Sequence, residues 1–501
     1  MITTLHDPVV TEADGVHELE IEVTFAPGTL PPASVSYRVQ PGELAVPDAS
    51  VLPLVPAALV LACRASQDLR VAEPLPPAVH EGARAVASLL HDWYGWRPAE
   101  LIAPLAAAPV RPRWAHRRRG LGVFFTRGID SWGTLFDLLD GPKRSKPTHL
   151  ITVDNEVHLD QAVRDAQVAE TQAVADRLGL PLIVVSTDVR SLLDPHADWG
   201  TATHGSVLAG AGLLLRSTLR QVVIAPTHWT PLLRPWGSHP DLEPLWSTPD
   251  LRVTHHDGDE PRWKRVARVI EEPIAAQTVL VCWQGTGTRN CGRCEKCLRL
   301  MTSLFLLGML DGCAGRFDVA FDPERITPDL VVDPHPWCDT MDHLDHVGLA
   351  ADDLRQRWEQ VTRFARPAMW FQTRAVQPRL PVVVAESVPD PTASVDAIAR
   401  RLAVLGLRVD RRQPHRDDGT ASAIVVVGHG DRVEVRTGAG AGVTVSPGDL
   451  DLDALRPLLD ELGLDPDDAV PFDPDGQGPP PVVPEPPGWR VGADGATTEQ
   501  R

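Results

Sequence analysis

The stretch that decides the fold is Leu121-Gly122-Val123-Phe124-Phe125-Thr126-Arg127-Gly128-Ile129-Asp130-Ser131, where an apolar strand runs directly into the start of a helix. A strand-to-helix turn presents free backbone N–H groups, and the start of a helix is electropositive, so both suit a phosphate or pyrophosphate. Hydroxyls at Thr126 and Ser131 can donate to phosphate oxygens, and Asp130 can hold Mg²⁺. A plain helix start, capped by Asp130 or Ser131, explains the same residues equally well.

The segments that follow alternate strands with helices of 10–20 residues, which predicts an α/β fold with a doubly wound parallel sheet. Such sheets bind ligands at the carboxyl ends of their strands. The predicted strands are 121–126, 150–153, 182–186 and 222–225, and the predicted helices are 131–139, 159–178 and 204–219.

Five parts are expected along the chain. Apolar and polar residues alternate over 16–40, which predicts a β-rich accessory module at 1–115, ending in a basic connector at 111–119. The nucleotide-binding domain is expected at 116–314 and a mixed connector at 315–380. A small α/β domain is predicted at 381–465, with strands at 382–385, 423–427 and 433–436 and helices at 394–405 and 453–462. The proline-rich, acidic residues 466–501 predict a disordered tail.

Charge and composition exclude some classes of protein. The 501 residues include 67 Asp and Glu against 48 Lys and Arg, a net charge of −19. Residues 449–501 alone contribute −10, so the acidity is concentrated in the tail. This balance argues against a dedicated nucleic-acid binder. No apolar run approaches the ~20 residues of a membrane span, and seven cysteines do not form a disulfide scaffold. We therefore expect a cytoplasmic protein, without a membrane partner and with a possible homo-oligomeric state.

Four of the seven cysteines lie within sixteen residues, in the pattern Cys282-x8-Cys291-x2-Cys294-x2-Cys297. Four thiolates at this spacing suit tetrahedral Zn²⁺, and four protein ligands leave no open position, so the metal is expected to be structural. Disulfides and a [4Fe–4S] cluster are the alternatives.

Other polar residues are placed where a ligand is expected. His204 starts a predicted helix, and Trp236, Ser238, His239 and Asp241 follow a predicted strand, so they could contact a substrate ring or amine. A Pro/Gly turn explains the same segment. Lys264 is a candidate phosphate or adenylate contact, although the polar run at 255–260 before it is typical of a solvated helix start.

The loop and the cysteine segment together resemble a known family. Thr126-Arg127-Gly128-Ile129-Asp130-Ser131 is similar to the Ser-Gly-Gly-x-Asp-Ser loop of PP-loop ATP pyrophosphatases. The segment Cys291-Gly292-Arg293-Cys294-Glu295-Lys296-Cys297 resembles the zinc segment of 7-cyano-7-deazaguanine synthases. The resemblance covers roughly residues 120–310. It implies that residues 126–131 bind ATP with Mg²⁺, with Asp130 and Ser131 in the chemistry. Arg127 departs from the family's glycine: its Cβ could block the phosphates, or its guanidinium could reach them.

The resemblance implies AMP-forming adenylation of a carboxylate, 7-deazaguanine-like or another small acid. An amine, ammonia or a peptide acceptor would then give an amide, nitrile or conjugate. One alternative is a non-catalytic nucleotide-binding or scaffold protein with a degenerate loop. Another is an RNA-modifying PP-loop enzyme, favoured only by the basic connector at 111–119.

Overall fold

The computed structural model divides the chain into two compact units. The first unit includes Met1–Trp229 and Trp236–Arg325, and the second lies beyond Arg325. The described residues are 1–106 (without 14, 28 and 40–48), 119–327 (without 230–232, 234, 257, 259, 285 and 286), and 330, 336, 337, 340, 343 and five strands between 381 and 445. Of the basic connector at 111–119, only Arg119 is described.

The first unit is built on one mixed sheet of eleven strands, most of them paired in parallel, which confirms the α/β class. The order is β11-β10-β7-β8-β9-β4-β3-β1-β5-β6, with β2 beside β3. The strands are β1 (Ile2–Leu5), β2 (Val9–Ala13), β3 (Val16–Thr24), β4 (Ala33–Val39), β5 (Asp68–Val71), β6 (Leu101–Ile102), β7 (Gly120–Phe124), β8 (His149–Asp154), β9 (Leu182–Thr187), β10 (Leu219–Ile224) and β11 (Arg252–His255).

Ten helices are described in this unit. They are α1 (Val55–Arg64), α2 (Pro77–Tyr94), α3 (Ile129–Asp140), α4 (Gln161–Leu178), α5 (Val189–Leu193), α6 (His204–Leu214), α7 (Arg262–Glu271), α8 (Pro273–Thr278), α9 (Glu295–Leu306) and α10 (Leu310–Cys313). Short 3-10 turns lie at Lys143–Ser145, Glu243–Trp246, Ala314–Arg316 and Pro323–Arg325, and a π-helical turn lies at Trp199–Thr203. Within the described part of the chain, no helix combines the length and apolar character that a membrane span requires.

The four predicted strands of the parallel sheet correspond to β7, β8, β9 and β10. The sequence did not predict β11, which extends them to five adjacent strands in the order β11-β10-β7-β8-β9, all paired in parallel. The rest of the sheet makes it mixed. Strand β4 pairs antiparallel with β9, joining Tyr37 to Thr187 and Val39 to Val185. The strands of residues 1–106 thus continue the sheet of the predicted nucleotide-binding domain.

Both faces of the central strands are buried. Along β7, Leu121 and Val123 belong to one apolar cluster together with Trp132 of α3, and Phe124 belongs to another that includes α1. Strands covered on both faces are apolar throughout, which explains the continuous apolar run before the loop.

The direction of winding reverses at β7. From β7 the chain proceeds to β8 and β9 on one side, and then returns to β10 and β11 on the other. The turns that leave β7 and β10 therefore border the switch point of the sheet, where ligands of such folds bind.

The second unit contains a five-stranded sheet in the order β13-β12-β14-β15-β16. Its strands are β12 (Pro381–Ala385), β13 (Arg408–Asp410), β14 (Ile424–His429), β15 (Arg432–Thr437) and β16 (Gly442–Val445). The predicted strands at 382–385, 423–427 and 433–436 are confirmed. The predicted helices at 394–405 and 453–462, the tail at 466–501 and most of the connector at 315–380 lie outside the described residues.

Candidate functional site

The predicted phosphate loop lies between β7 and α3, at the switch point. Gly128 precedes α3 in an extended conformation, and no side chain caps the first turn of the helix. Instead Ser131 Oγ donates to the Gly128 carbonyl (2.9 Å), and the Thr126 N–H donates to Ser131 Oγ at 3.4 Å. The cap expected from Asp130 or Ser131 is therefore not formed, and the first backbone N–H groups of α3 remain directed at the loop.

Arg127 adopts a backbone conformation typical of glycine. Its φ is +61°, and its side chain is 1% exposed. The guanidinium points into the protein, where Nε donates to Thr171 Oγ1 (3.1 Å) and Nη1 forms an ion pair with Glu170 of α4. The side chain therefore anchors the loop from behind.

The same anchor joins the loop to the cysteine segment. Glu170 also pairs with Arg316 (3.0 Å), whose Nη2 donates to the Thr288 carbonyl at 2.6 Å. The Arg127 carbonyl accepts from the N–H of Leu280, two residues before Cys282. Two motifs far apart in the sequence thus form one connected structure.

Asp130 is held by two arginines of α7. Its carboxylate pairs with Arg262 and, at 2.9 Å, with Arg265. Burial alone would raise the pKa of Asp130, but both guanidinium groups outweigh this effect and hold that pKa below its usual value. A Cβ at Gly133 would lie 2.7 Å from Arg265 Cδ, so glycine permits the close approach of α3 and α7. A Mg²⁺ ion at Asp130 would have to displace these pairs.

Lys264 is exposed on α7, with its ammonium 5.5 Å from the centre of the Trp263 ring. The structure brings Arg262 and Arg265 to the loop instead. Sequence reasoning missed Arg265, although its spacing of three residues from Arg262 places both on one face of a helix.

The four predicted cysteines meet in one cluster in which all Sγ atoms lie within 4.8 Å of one another. The Sγ–Sγ distances are 3.3 Å for Cys294–Cys297, 3.8 Å for Cys291–Cys297 and 4.0 Å for Cys282–Cys294. Tetrahedral thiolates about 2.3 Å from zinc would be about 3.8 Å apart. None of the four forms a disulfide.

The cluster could hold a metal ion such as zinc. Hydrogen bonding with Cys282 and Cys294 raises the pKa of Cys297 well above its usual range, because closely packed sulfurs oppose joint ionisation. A divalent cation at the centre offsets that repulsion. Among the described residues this is the one group of three or more Cys, His, Asp or Glu side chains that is close enough to hold an ion.

Helix α9 packs against α7 and carries further cations. Lys296 reaches solvent, with its ammonium 5.5 Å from the Trp283 ring centre. Partial desolvation and the charges of Arg299 and Arg262 lower the pKa of Lys296. Positive charges that repel one another in this way are stabilised by a bound anion.

Three of the predicted substrate residues are part of a packed segment. Trp236 lies against Gly200, where a Cβ would be 2.8 Å from its Cζ2 atom. Ser238 and His239 are 2% and 1% exposed. The His239 ring lies edge-on to Trp93, with centroids 4.9 Å apart, and burial lowers the pKa of His239 to about 3. These three side chains are packed inside the protein, and Ser238 Oγ and His239 Nε2 are buried without a hydrogen-bond partner among the described residues.

The other two predicted substrate residues differ from these. The Asp241 side chain is 57% exposed and its backbone N–H donates to His239 Nδ1 (3.1 Å). His204 begins α6 beside Trp199, with ring centroids 5.0 Å apart. Burial, then the charges of Lys296, His255 and Arg190, lower the pKa of His204 to about 4, so His204 is neutral at neutral pH.

A buried carboxylate next to this segment escaped the sequence analysis. Glu243 is 0% exposed, and its Oε2 atom accepts the His239 N–H (2.9 Å) and lies 3.0 Å from His255 Nδ1. The available signal was a histidine at the end of an apolar strand, at the edge where ligands bind. The run at 255–260 suggested a solvated helix start instead, but His255 is the last residue of β11.

Compared with protein-family models, curated proteins and solved structures, the chain gives no match. Conclusions about its function rest on its residues and their geometry.

Proposed function

We propose that this chain binds ATP at residues 126–131 and adenylates a small carboxylate, releasing pyrophosphate. An amine, ammonia or a peptide N-terminus then displaces AMP. The observation that carries the proposal is the uncapped start of α3 at the switch point of the sheet, bordered by cations of α7.

The loop can stabilise charge as it develops on pyrophosphate. Backbone N–H groups at the start of α3 can donate to phosphate oxygens, and the helix dipole favours negative charge there. The hydroxyls of Thr126 and Ser131 lie on the same turn. Asp130 serves as a positioning residue, because its pairs with Arg262 and Arg265 fix two guanidinium groups beside the loop.

The cysteine cluster has a structural role in this proposal. With four thiolate ligands, zinc has no open position for substrate. The hydrogen bond from the Leu280 N–H to the Arg127 carbonyl joins the cysteine segment to the loop, so a segment fixed by zinc also holds the loop in place. Mg²⁺ would arrive with ATP, offsetting phosphate charge.

The test is ATP–pyrophosphate exchange by the full chain with 7-carboxy-7-deazaguanine and other small carboxylic acids. We expect exchange that depends on the acid and is weakened in Ser131→Ala. Ser145→Ala is the matched control, because Ser145 is a surface residue whose hydroxyl donates to the Pro142 carbonyl. Failure of the native protein to bind ATP would remove the proposal.

A non-catalytic nucleotide-binding protein is the second candidate. It is favoured by Asp130, whose two arginine partners compete with Mg²⁺. ATP binding without exchange for any acid tested would support it. If Arg127→Gly raised exchange, the native loop would be an impaired enzyme.

A further inference from the structure

The proposed reaction needs a group that accepts a proton from the attacking amine, and the loop itself offers none. Ser131 Oγ is engaged with Gly128, and Asp130 is paired with two arginines. A base with a fixed orientation must therefore come from the other polar residues at this edge of the sheet.

Glu243 and His255 form a carboxylate–imidazole pair at the end of β11. Glu243 Oε2 lies 3.0 Å from His255 Nδ1 and also accepts the His239 N–H. An ionised carboxylate only accepts hydrogen bonds, so the proton of this contact belongs to His255 Nδ1. The neutral ring then carries its lone pair on Nε2.

That lone pair is accessible. The His255 side chain is 5% exposed. Its Nε2 atom has no hydrogen-bond partner among the described residues, and it is not one of their fully buried, unpartnered polar atoms. Burying a carboxylate lowers the stability of the folded protein by several kcal/mol unless a partner compensates its charge. Here the carboxylate of Glu243 fixes one tautomer of the His255 ring, which still reaches solvent.

His255 lies on the correct edge of the sheet. Strands β11, β10 and β7 are parallel neighbours, so His255 and the loop end at the same edge, two strand spacings or roughly 10 Å apart. An acyl group attached to an α-phosphate on the loop can span that distance. The charge of His255 also acts on His204, which begins α6.

Burial weakens the basicity of the two neighbouring histidines. Burial lowers the pKa of His239 to about 3, and burial with nearby positive charge lowers that of His204 to about 4. His255 differs from both in its hydrogen-bond partner, the fully buried carboxylate of Glu243. The titratable groups around it include Glu243, His239 and His204.

We propose that His255 is the general base of the amine-transfer step and that Glu243 is its positioning residue. The amine nitrogen forms a bond to the acyl carbon of the adenylate. The bond from that carbon to the AMP phosphate oxygen breaks, its electron pair leaves with AMP, and the proton from nitrogen passes to His255 Nε2. This inference rests on the proposed adenylation.

The test uses the full chain with ATP, Mg²⁺ and 7-carboxy-7-deazaguanine, and compares two nucleophiles. Hydroxylamine traps the adenylate without a base, whereas ammonia or glycinamide needs one. In His255→Gln we expect hydroxamate formation to stay within about threefold of native, while amide formation falls 10²–10⁴-fold in kcat.

Two further variants separate catalysis from folding. Added imidazole should partly restore amide formation in His255→Ala. Glu243→Gln should lower the rate of amide formation while retaining hydroxamate formation. His256→Gln is the matched control, because His256 Nε2 lies 3.9 Å from Asp137 Oδ2, outside the proposed pair. The rate of amide formation in this variant should equal that of the native protein.

The outcomes are distinct. Amide formation at the native rate in His255→Gln would overturn the role of His255, and so would equal loss of hydroxamate and amide in a folded variant. A native protein that makes neither product would refute the adenylation itself, and the role of His255 with it.

Discussion

Replacing Arg127 tests whether this side chain anchors the loop. Arg127→Ala removes the ion pair with Glu170 and the hydrogen bond to Thr171. Breaking a buried ion pair costs about 3–5 kcal/mol. Glu170 keeps Arg316 as a partner and is partly exposed, so we expect a loss of about 3 kcal/mol in the free energy of unfolding.

Arg127→Gly separates the anchor from the backbone. It removes the same contacts, but glycine adopts a positive φ without the ~1–2 kcal/mol cost that other residues incur. Glycine also loses more backbone entropy on folding, which offsets part of that gain. We therefore expect Arg127→Gly to be more stable than Arg127→Ala by about 1 kcal/mol, near 2 kcal/mol below the native protein.

Urea denaturation followed by circular dichroism measures all three proteins under one condition, and the midpoints rank them. The expected order is native, Arg127→Gly, Arg127→Ala. An alanine variant as stable as the native protein would refute the anchor. A glycine variant less stable than the alanine variant would refute the imposed left-handed backbone.

Three further predictions concern packing, metal and pH. Gly133→Ala should lower stability by about 1–3 kcal/mol, because the new Cβ meets Arg265 Cδ at 2.7 Å; Gly312→Ala, which meets no atom within 4 Å, is the control, and equal melting temperatures would contradict the close contact. The purified protein should contain one zinc per chain by elemental analysis, and Cys294→Ser should lose it and melt earlier; a metal-free native protein of unchanged stability would argue against the site. The pKa of His239 is lowered on folding from 6.5 to about 3, so the unfolded chain binds the proton at a higher pH than the folded protein does. The contribution of His239 to the free energy of unfolding should therefore be fully present above pH 6.5 and fall by up to about 1.4 kcal/mol per pH unit below it. The same decline in His239→Gln would exclude this histidine as the cause.

The sequence predicted those features that depend on local pattern. The helix expected at 159–178 ends before Gly179, which has φ +66° as a helix-ending glycine requires. The cysteine spacing predicted a cluster, and the four sulfurs meet. Apolar runs bounded by turns predicted the central strands within one to three residues.

Long-range contacts were beyond the sequence. The antiparallel pairing of β4 with β9 joins residues about 150 positions apart, and no local pattern encodes that choice. The orientation of Arg127 depends on a pocket formed by Glu170, Thr171 and the carbonyl of Thr278. Glu243 lies in the 3-10 turn before β11, and its pairing with His255 depends on that turn folding back against the strand.

A structure of the full chain with ATP and Mg²⁺ tests the central claim most directly. We expect the phosphates within hydrogen-bonding distance of the backbone N–H groups at the start of α3 and of the Thr126 or Ser131 hydroxyl, with the α-phosphate turned toward His255. Phosphates bound elsewhere on the chain, or a loop that excludes nucleotide at saturating ATP, would contradict the account.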